Sequence, residues 1–419
     1  MKAVISNRIY LEVDGELSKT LREKLTYQIP TYGDGPPITI QNYSVFRPGL
    51  LTIPSGRVDL IPDGYEIVDK RVFKPVVFPP FRMILRDSQQ EIHDEVDDNA
   101  MINAKVGWGK TFCALAIAAK LGQKTVIVVH NLTLMHQWKD EVKKVFGFTP
   151  GLIGDGHYNT KEIITIANIA SLYKRMGDLG KEFGTVIQDE CHKAPAPSFS
   201  KVLDRSYARY KIGLSGTLKR KDGLHVLLPD YFGHKIFKPP PENTMTPSIH
   251  VYDTGLYFPF GNVYAHRVSQ LLETQQYQEL VVRMVEKYKK LGHKVLIVAD
   301  RIDFLKIIAA RTNSALIIGE TKDREAQFAS MSEDKDSLCG TLSIFKEGIS
   351  YNPLSVVILA VPISNDPMLE QLIGRIQRMF PGKLNPIVVD LLLRGHTTEK
   401  QFTQRAGFYL REGFEILYQ

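Results

Sequence analysis

The sequence predicts an α/β protein with two domains built on parallel β-sheets and flanked by helices, preceded by a small α+β domain. Runs rich in Val and Ile, such as 125–129 and 295–298, alternate with longer helical patterns through most of the chain. Continuous apolar strands between helices are typical of a parallel sheet covered on both faces. A polar, proline-rich stretch at 238–244 divides the pattern into two series and is the best linker candidate. With 419 residues, the chain is long enough for two or three domains.

The small first domain is predicted at residues 1–80. It begins with a strand-like run at 8–13, and a helical pattern through Leu17, Leu21 and Leu25 follows. Short alternating pieces come next, separated by Gly and Pro clusters that indicate turns. Basic and acidic residues nearly balance in this segment, so almost all of the net charge of +7 lies downstream.

The two sheet domains are predicted at 81–240 and 247–419. The first is defined by strand-like runs at 125–129, 163–167 and 185–187. The second is defined by a long helix around 270–291 and by strand-like runs at 295–298, 355–359 and 386–389.

Composition excludes several classes of protein. The three cysteines form no C-x-x-C pair, which excludes a disulfide framework and a cysteine-rich zinc site. The N-terminus has no signal-peptide pattern and no apolar run approaches 18 residues, so we expect a soluble intracellular protein without membrane contact. A pI of about 9.0 permits a polyanionic partner without requiring one.

A phosphate-binding loop is predicted at 104–111, immediately before an alanine-rich helical run. Gly107 and Gly109 allow backbone N–H groups to turn towards an anion, and the following helix adds the positive end of its dipole. Lys110 is placed to reach the β- and γ-phosphates of ATP, and the Thr111 hydroxyl is placed to bind Mg²⁺. Ala104 stands where the usual pattern begins with Gly.

An acidic pair, Asp189 and Glu190, ends a second buried strand. A carboxylate at that edge of a parallel sheet can hold the metal ion that the loop threonine also holds. Glu190 is placed to polarise the attacking water. The pairing of this motif with the phosphate-binding loop predicts an NTPase.

The ordered motifs in the first sheet domain resemble those of superfamily 2 helicases, whose fold is two RecA-like P-loop domains. The segment 85–89 resembles L-R-x-x-Q, and the resemblance implies that Gln89 contacts the edge of the adenine base. The segments 129–138 and 166–172 resemble two corners that touch the nucleic-acid backbone, and 213–217 resembles the S-A-T coupling motif. The resemblance thereby assigns nucleic-acid contacts and coupling to six residues, namely Asn131, Gln137, Asn168, Ser171, Ser215 and Thr217, and it adds His192 as a further coupler.

The second sheet domain carries the remaining motifs of the same family. The segment 341–350 resembles the motif that joins nucleotide to nucleic acid. The resemblance implies that Thr341 contacts nucleic acid and that Gly348 contacts the nucleotide. The segment 371–378 resembles Q-x-x-G-R-x-x-R, which implies a catalytic role for Gln371. On a helix, Arg375 and Arg378 lie at i and i+3 on one face, where both guanidinium groups can stabilise charge on the γ-phosphoryl group.

The segment 218–223 and the Gln137–Trp138 corner resemble the XPB and UvsW branch of the superfamily, and the compact size resembles phage fork-remodelling and branch-migration helicases. Six positions depart from the family pattern: His130, Asn131, Asn168, Leu218, Lys221 and Ser350. Relatives in this branch have an R-E-D motif here, and Lys221 stands in place of its acidic residue. The function of that motif is therefore not assigned to this chain.

The resemblance implies an ATP- and Mg²⁺-dependent DNA helicase or translocase acting on forked, branched or partly single-stranded DNA. We expect it to work in replication, recombination or repair, as a monomer on DNA, in a bacterial or phage-infected host cytoplasm. An RNA helicase and the motor subunit of a restriction-type complex stay open as alternatives. A further alternative is a non-catalytic protein that clamps nucleic acid and uses ATP only as a switch. The presence of Glu190, Arg375 and Arg378 disfavours it.

Overall fold

The computed structural model describes the whole chain except residues 31–35, 106, 219, 221, 243, 322–323, 347–350 and 365. The chain forms two compact units. One contains residues 1–105 and 109–241, and the other contains residues 242–419 together with the short segment 106–108.

The N-terminal part of the first unit is a mixed sheet with one helix. Its elements are β1 (Lys2–Ile5), β2 (Arg8–Glu12), α1 (Gly15–Lys24), β3 (Thr26–Ile29), β4 (Ile38–Gln41), β5 (Ser44–Arg47), β6 (Leu50–Pro54) and β7 (Glu66–Asp69). The sheet order is β5-β6-β2-β1-β7, and β3 pairs with β4 as a separate hairpin. Asp14 caps α1 by accepting a hydrogen bond from the Leu17 N–H at 2.8 Å, and alternate residues of β1 and β2 are buried, as a sheet with one apolar face requires.

The rest of the first unit is an eight-stranded sheet flanked by helices. Its strands are β8 (Ala100–Asn103), β9 (Thr125–Val129), β10 (Gly151–Gly154), β11 (His157–Tyr158), β12 (Ile164–Asn168), β13 (Thr185–Asp189), β14 (Tyr210–Ser215) and β15 (Ile236–Phe237). Their order is β11-β10-β12-β9-β13-β14-β8-β15, and the pairings are parallel except at β10–β11. The helices are α2 (Asp87–Glu95), α3 (Lys110–Leu121), α4 (Leu132–Phe146), α5 (Ile169–Tyr173), α6 (Met176–Leu179), α7 (Pro197–Arg205) and α8 (Leu228–Phe232).

The mixed sheet is fixed to this larger sheet by buried polar contacts. Asp230 has no exposed surface, and its carboxylate accepts hydrogen bonds from the Tyr27 hydroxyl at 2.9 and 3.0 Å, the Asn42 amide at 2.7 Å and the Arg57 guanidinium at 3.3 Å. A buried charge is stable only where it is paired and hydrogen-bonded, and Asp230 meets that condition through residues of the N-terminal domain.

A second buried contact lies nearby. The Lys211 ammonium donates to the Ser55 hydroxyl at 2.7 Å and to the Leu203 carbonyl at 2.9 Å. A Cβ atom on Gly56 would lie 2.5 Å from the Pro229 carbonyl oxygen. The backbones therefore approach too closely for any residue but glycine, and the N-terminal domain is an integral part of the first unit.

The second unit is a seven-stranded parallel sheet. Its strands are β16 (Ser248–Tyr257), β17 (Val295–Ala299), β18 (Ala315–Ile317), β19 (Ser337–Thr341), β20 (Val356–Leu359), β21 (Ile387–Arg394) and β22 (Glu415–Tyr418), in the order β18-β19-β17-β20-β21-β16-β22. Its helices are α9 (Tyr264–Glu273), α10 (Gln275–Lys290), α11 (Ile302–Thr312), α12 (Arg324–Glu333), α13 (Leu342–Lys346), α14 (Asp366–Ile376) and α15 (His396–Arg411). The core contains the apolar strand residues on both faces of the sheet.

The predicted fold class is confirmed: two parallel α/β sheets in the manner of tandem RecA-like domains, with a mixed N-terminal sheet. The single helix predicted around 270–291 is two helices, because Thr274 has an extended backbone between α9 and α10. Among the described residues, no helix is both long enough and apolar enough to cross a membrane.

Candidate nucleotide and nucleic-acid sites

The phosphate-binding loop connects β8 to α3. Gly107 and Gly109 have φ values of 91° and 90°, in the left-handed region that favours glycine. A Cβ atom on Gly109 would also lie 2.6 Å from the Gln89 side-chain nitrogen. The Lys110 ammonium donates to the carbonyls of Ala104 at 2.7 Å and Lys105 at 3.3 Å, so the lysine lies over the loop that it follows.

Gln89 lies directly against this loop and is 4% exposed. Its side-chain oxygen accepts from the Arg86 N–H at 3.1 Å, and its side-chain nitrogen donates to the Gly109 carbonyl at 3.5 Å. The side chain assigned to the adenine edge therefore also supports the turn that leads into Lys110.

The acidic pair lies on the same edge of the sheet as the loop. Asp189 ends β13, two strands from β8, and parallel strands present their carboxyl ends together. Burial and the neighbouring charge of Glu190 raise the pKa of Asp189. Burial also opposes ionisation of Glu190, but its hydrogen bond to His192 and the nearby Lys110 outweigh burial and lower its pKa. Glu190 is therefore ionised at neutral pH, as a general base must be.

Glu190 has a left-handed backbone, with φ at 52°, which is strained for a residue other than glycine. Its carboxylate lies 3.3 Å from His192 Nδ1, and the same nitrogen lies 2.9 Å from the Ser215 hydroxyl. Ser215 Oγ in turn donates to the Thr217 carbonyl at 2.5 Å. The structure thus connects the three predicted coupling residues, His192, Ser215 and Thr217, to Glu190 in one hydrogen-bonded chain.

The acidic pair is suited to a divalent cation. Asp189 accepts one hydrogen bond at each oxygen, from the Glu190 N–H at 3.0 Å and from the Trp138 indole at 2.9 Å, which leaves further lone pairs on both oxygens. Thr111 lies in the first turn of α3, beside Lys110. Among the described residues, no group of three or more His, Cys, Asp or Glu side chains could hold a metal ion.

The two predicted backbone-contact corners lie side by side. Asn168 pairs in register with Val129, so α4 and α5 begin at adjacent points of one sheet edge. Asn131 caps α4 by accepting from the Leu134 N–H at 2.8 Å, and Asn168 caps α5 by accepting from the Ala170 N–H at 3.0 Å. The asparagine oxygens therefore serve the helix ends, as asparagine often does at the N-cap position.

The remaining predicted contacts of the first unit are near these corners. Gln137 lies on the exposed side of α4, and Ser171 is half-buried on α5. Trp138, which follows Gln137, is 3% exposed and donates to Asp189. Sequence reasoning gave Trp138 no role, and the sequence contains no local signal for its contact with Asp189.

Predicted site residues of the second unit lie at the end of β19 and on α14. Thr341 ends β19 and lies 3.1 Å, oxygen to oxygen, from the Ser343 hydroxyl. Gln371 lies on α14, and its side-chain oxygen is buried without a hydrogen-bond partner among the described residues. Arg375 is also on α14 and is 6% exposed. Gly348 lies outside the described residues.

The expectation that Arg375 and Arg378 share one helix is wrong. The helix α14 ends at Ile376, and Arg378 forms an isolated antiparallel bridge with Thr244. The Met245 N–H donates to the Gln377 carbonyl at 2.7 Å, which holds the chain extended at this point. Burial lowers the pKa of Arg378, and one of its nitrogens lies 3.4 Å from the Asn352 side-chain oxygen.

Known proteins similar to this chain include helicases, a translocase and a restriction-enzyme subunit. A family model described as the res subunit of type III restriction enzymes matches residues 82–220. The chain is 42% identical over 432 residues to the probable helicase D10 of Escherichia phage T5, covering 100% of this chain and 96% of that protein. It is 33% identical over 175 residues to the DNA 3'-5' translocase XPB2 of Sulfurisphaera tokodaii, covering 41% of this chain and 40% of the translocase.

Of the two solved structures compared, the restriction-enzyme fragment shows the same fold. A fragment of a putative HsdR subunit of a type I restriction enzyme from Vibrio vulnificus aligns with a TM-score of 0.61 and 16% identity, covering 81% of this chain and 69% of that one. The structure of T4 UvsW aligns with a TM-score of 0.43 and 18% identity, covering 100% of this chain and 99% of that one.

Proposed function

Because this chain belongs to the superfamily 2 helicases, we propose that it is a DNA-stimulated ATPase that moves along forked or branched DNA. The observation that carries the proposal is the chain of hydrogen bonds from Glu190 through His192 to Ser215. An ionised general base joined to a neighbouring turn is suited to couple hydrolysis to a change of conformation.

Separate residues have separate roles in the proposed hydrolysis of ATP. Lys110 and the N–H groups of the loop bind the β- and γ-phosphates. Glu190 orients the attacking water and accepts its proton. Thr111 and Asp189 would hold Mg²⁺, whose charge would neutralise the phosphates. Arg375 and Arg378 of the second domain stabilise the γ-phosphoryl group.

DNA is proposed as the track because a curated relative is a DNA 3'-5' translocase. The corner at Asn131 presents the N-terminus of α4, which is suited to a phosphate group, and Asn168 lies beside it. Gln137 and Ser171 add polar side chains to this path, and Thr341 is proposed as a nucleic-acid contact of the second unit. Contacts of this kind are independent of sequence and weaken as salt concentration rises.

A steady-state ATPase assay with single-stranded DNA, duplex DNA, forked DNA and RNA tests the proposal. We expect stimulation by DNA, strongest with forks, and loss of hydrolysis in Lys110→Ala. Equal or greater stimulation by RNA would instead support an RNA helicase. Retained DNA-stimulated hydrolysis in Lys110→Ala would refute the loop assignment.

The N-terminal domain is proposed to contact the branch point. Deletion of residues 1–80 cannot test this, because it would uncover the buried Asp230 and Lys211. The exposed Phe46 and Arg47 on β5 allow a milder test by double substitution with Ala. We expect a reduced preference for forks over tailed duplex with unchanged stimulation by single-stranded DNA. An unchanged preference would place branch recognition elsewhere.

The match to a restriction subunit raises a second candidate, a motor that works with a nuclease. Incubation of the protein with plasmid DNA and Mg²⁺ separates the two. We expect intact supercoiled plasmid, whereas nicking or linearisation would support the nuclease-linked motor.

A further inference from the structure

A buried hydrogen bond joins the predicted nucleic-acid corner to the acidic pair. The Trp138 indole nitrogen donates to Asp189 Oδ2 at 2.9 Å, and the side chain of Trp138 is 3% exposed. The other carboxylate oxygen accepts from the Glu190 N–H at 3.0 Å. The Trp138 side chain therefore helps to fix the orientation of the Asp189 carboxylate through Oδ2.

Trp138 is carried by α4, the helix that begins at Asn131. Seven residues separate the two, which is about two helical turns, so both lie on the same face and about 10 Å apart along the axis. Met135, between them on this face, is fully buried. The capped end of α4 and the indole therefore belong to one rigid, well-packed element.

From this geometry we propose that Trp138 is a positioning residue that transmits nucleic-acid contact at the start of α4 to the carboxylate of Asp189. The inference rests on the proposed function, because it needs a nucleic-acid phosphate to bind near Asn131. A shift of α4 on binding moves the indole with it. Hydrogen bonds weaken steeply with distance and angle, so a small shift reorients the Asp189 carboxylate.

This connection is separate from the chain that runs through His192. That chain starts at Glu190 and reaches the turn after β14, whereas Trp138 starts from α4 and reaches Asp189. Buried residues further along α4, such as Phe146, pack against other aromatic rings such as Phe78 and Phe81. The helix thus provides a matched pair of buried aromatic residues, of which Trp138 contacts the site.

The test compares Trp138→Phe with Phe146→Leu. Phenylalanine fills most of the indole volume but cannot donate a hydrogen bond. We expect Trp138→Phe to lower the ratio of DNA-stimulated to basal ATPase about tenfold, the order expected for a hydrogen bond to a charged group. The KM for ATP should stay within about twofold, because Lys110 and Gln89 are unchanged. Phe146→Leu should reduce thermal stability and keep the stimulation ratio.

A spectroscopic readout on the unmutated protein measures the response of Trp138 directly. The chain contains two tryptophans, so labelling with 5-fluorotryptophan gives two ¹⁹F signals that Trp138→Phe assigns. We expect single-stranded DNA, added without nucleotide, to shift the Trp138 signal.

The outcomes separate the two proposals. A DNA-stimulated wild type whose Trp138 signal does not move, or a Trp138→Phe variant with wild-type stimulation, would overturn the inference and leave the proposed function intact. A wild type without any DNA stimulation would refute the proposed function, and the inference with it.

Discussion

Removing the carboxylate of Asp230 should destabilise the first unit far more than removing a neighbouring exposed carboxylate. Asp230 has no exposed surface and accepts hydrogen bonds from Tyr27, Asn42 and Arg57. Breaking a buried pair by removing one partner typically costs 3–5 kcal/mol. Burial raises the pKa of Asp230, which shows that desolvation already offsets part of the gain. We therefore expect Asp230→Ala to cost about 3 kcal/mol.

For a unit of this size, about 3 kcal/mol corresponds to a fall in Tm of roughly 6–12 °C. Thermal unfolding followed by circular dichroism measures it, and limited proteolysis should show faster cleavage within residues 1–80. The matched control is Asp59→Ala, which removes the other carboxylate partner of Arg57. Because the Asp59 side chain is 42% exposed, its loss should cost at most about 1 kcal/mol. If Asp230→Ala and Asp59→Ala have the same Tm, the view that the contacts of Asp230 fix the N-terminal domain would be refuted.

Three further predictions concern the same unit. Glu190→Gln should reduce ATP hydrolysis by about 10²–10⁴-fold while a fluorescent ATP analogue still binds, and loss of binding would contradict the general-base role. Burial lowers the pKa of Lys211 to about 8. Between pH 8 and 10.5 the unfolded lysine therefore holds a proton that the folded one lacks, so stability should rise with pH by about 3 kcal/mol relative to Lys211→Met. Denaturant titrations of the wild type and of Lys211→Met measure this. A difference in their free energies of unfolding that stays constant from pH 8 to 10.5 would disprove the prediction. Gly213→Ala would place a Cβ atom 2.9 Å from Cys191 Sγ, and it should cost about 1–3 kcal/mol. Adding Cys191→Ala should restore part of that loss in thermal melts, and no recovery would exclude this contact as the cause.

The parts of the site that the sequence predicts are those encoded in short segments. The loop at 104–111 and the acids at the end of β13 are local motifs, and parallel strands bring their carboxyl ends to one edge of the sheet. The sequence around Asn131 and Asn168 also indicates their role as helix caps. Each precedes a helix, where asparagine commonly acts as the cap, although the family resemblance drew attention to nucleic acid instead.

Other features depend on tertiary contacts that no short segment contains. The Trp138–Asp189 hydrogen bond joins residues 51 positions apart. The end of α14 before Arg378 depends on pairing of 377–378 with 244–245, which helical spacing alone could not predict. In the strand Tyr210–Ser215, the Lys211 ammonium is buried against Ser55 and Leu203, whereas lysine is rarely fully buried in proteins.

The buried contacts of Asp230 and Lys211 also change how the N-terminal domain should be understood. A recognition domain on a flexible linker would search for DNA independently of the motor. Here the domain shares buried charges and close backbone contacts with the sheet that carries Lys110 and Asp189. Any displacement of that sheet must therefore move the N-terminal domain with it, because separating them would expose unpaired charges. If the domain contacts a DNA branch, force generated during the ATPase cycle would reach the branch point without a hinge in between.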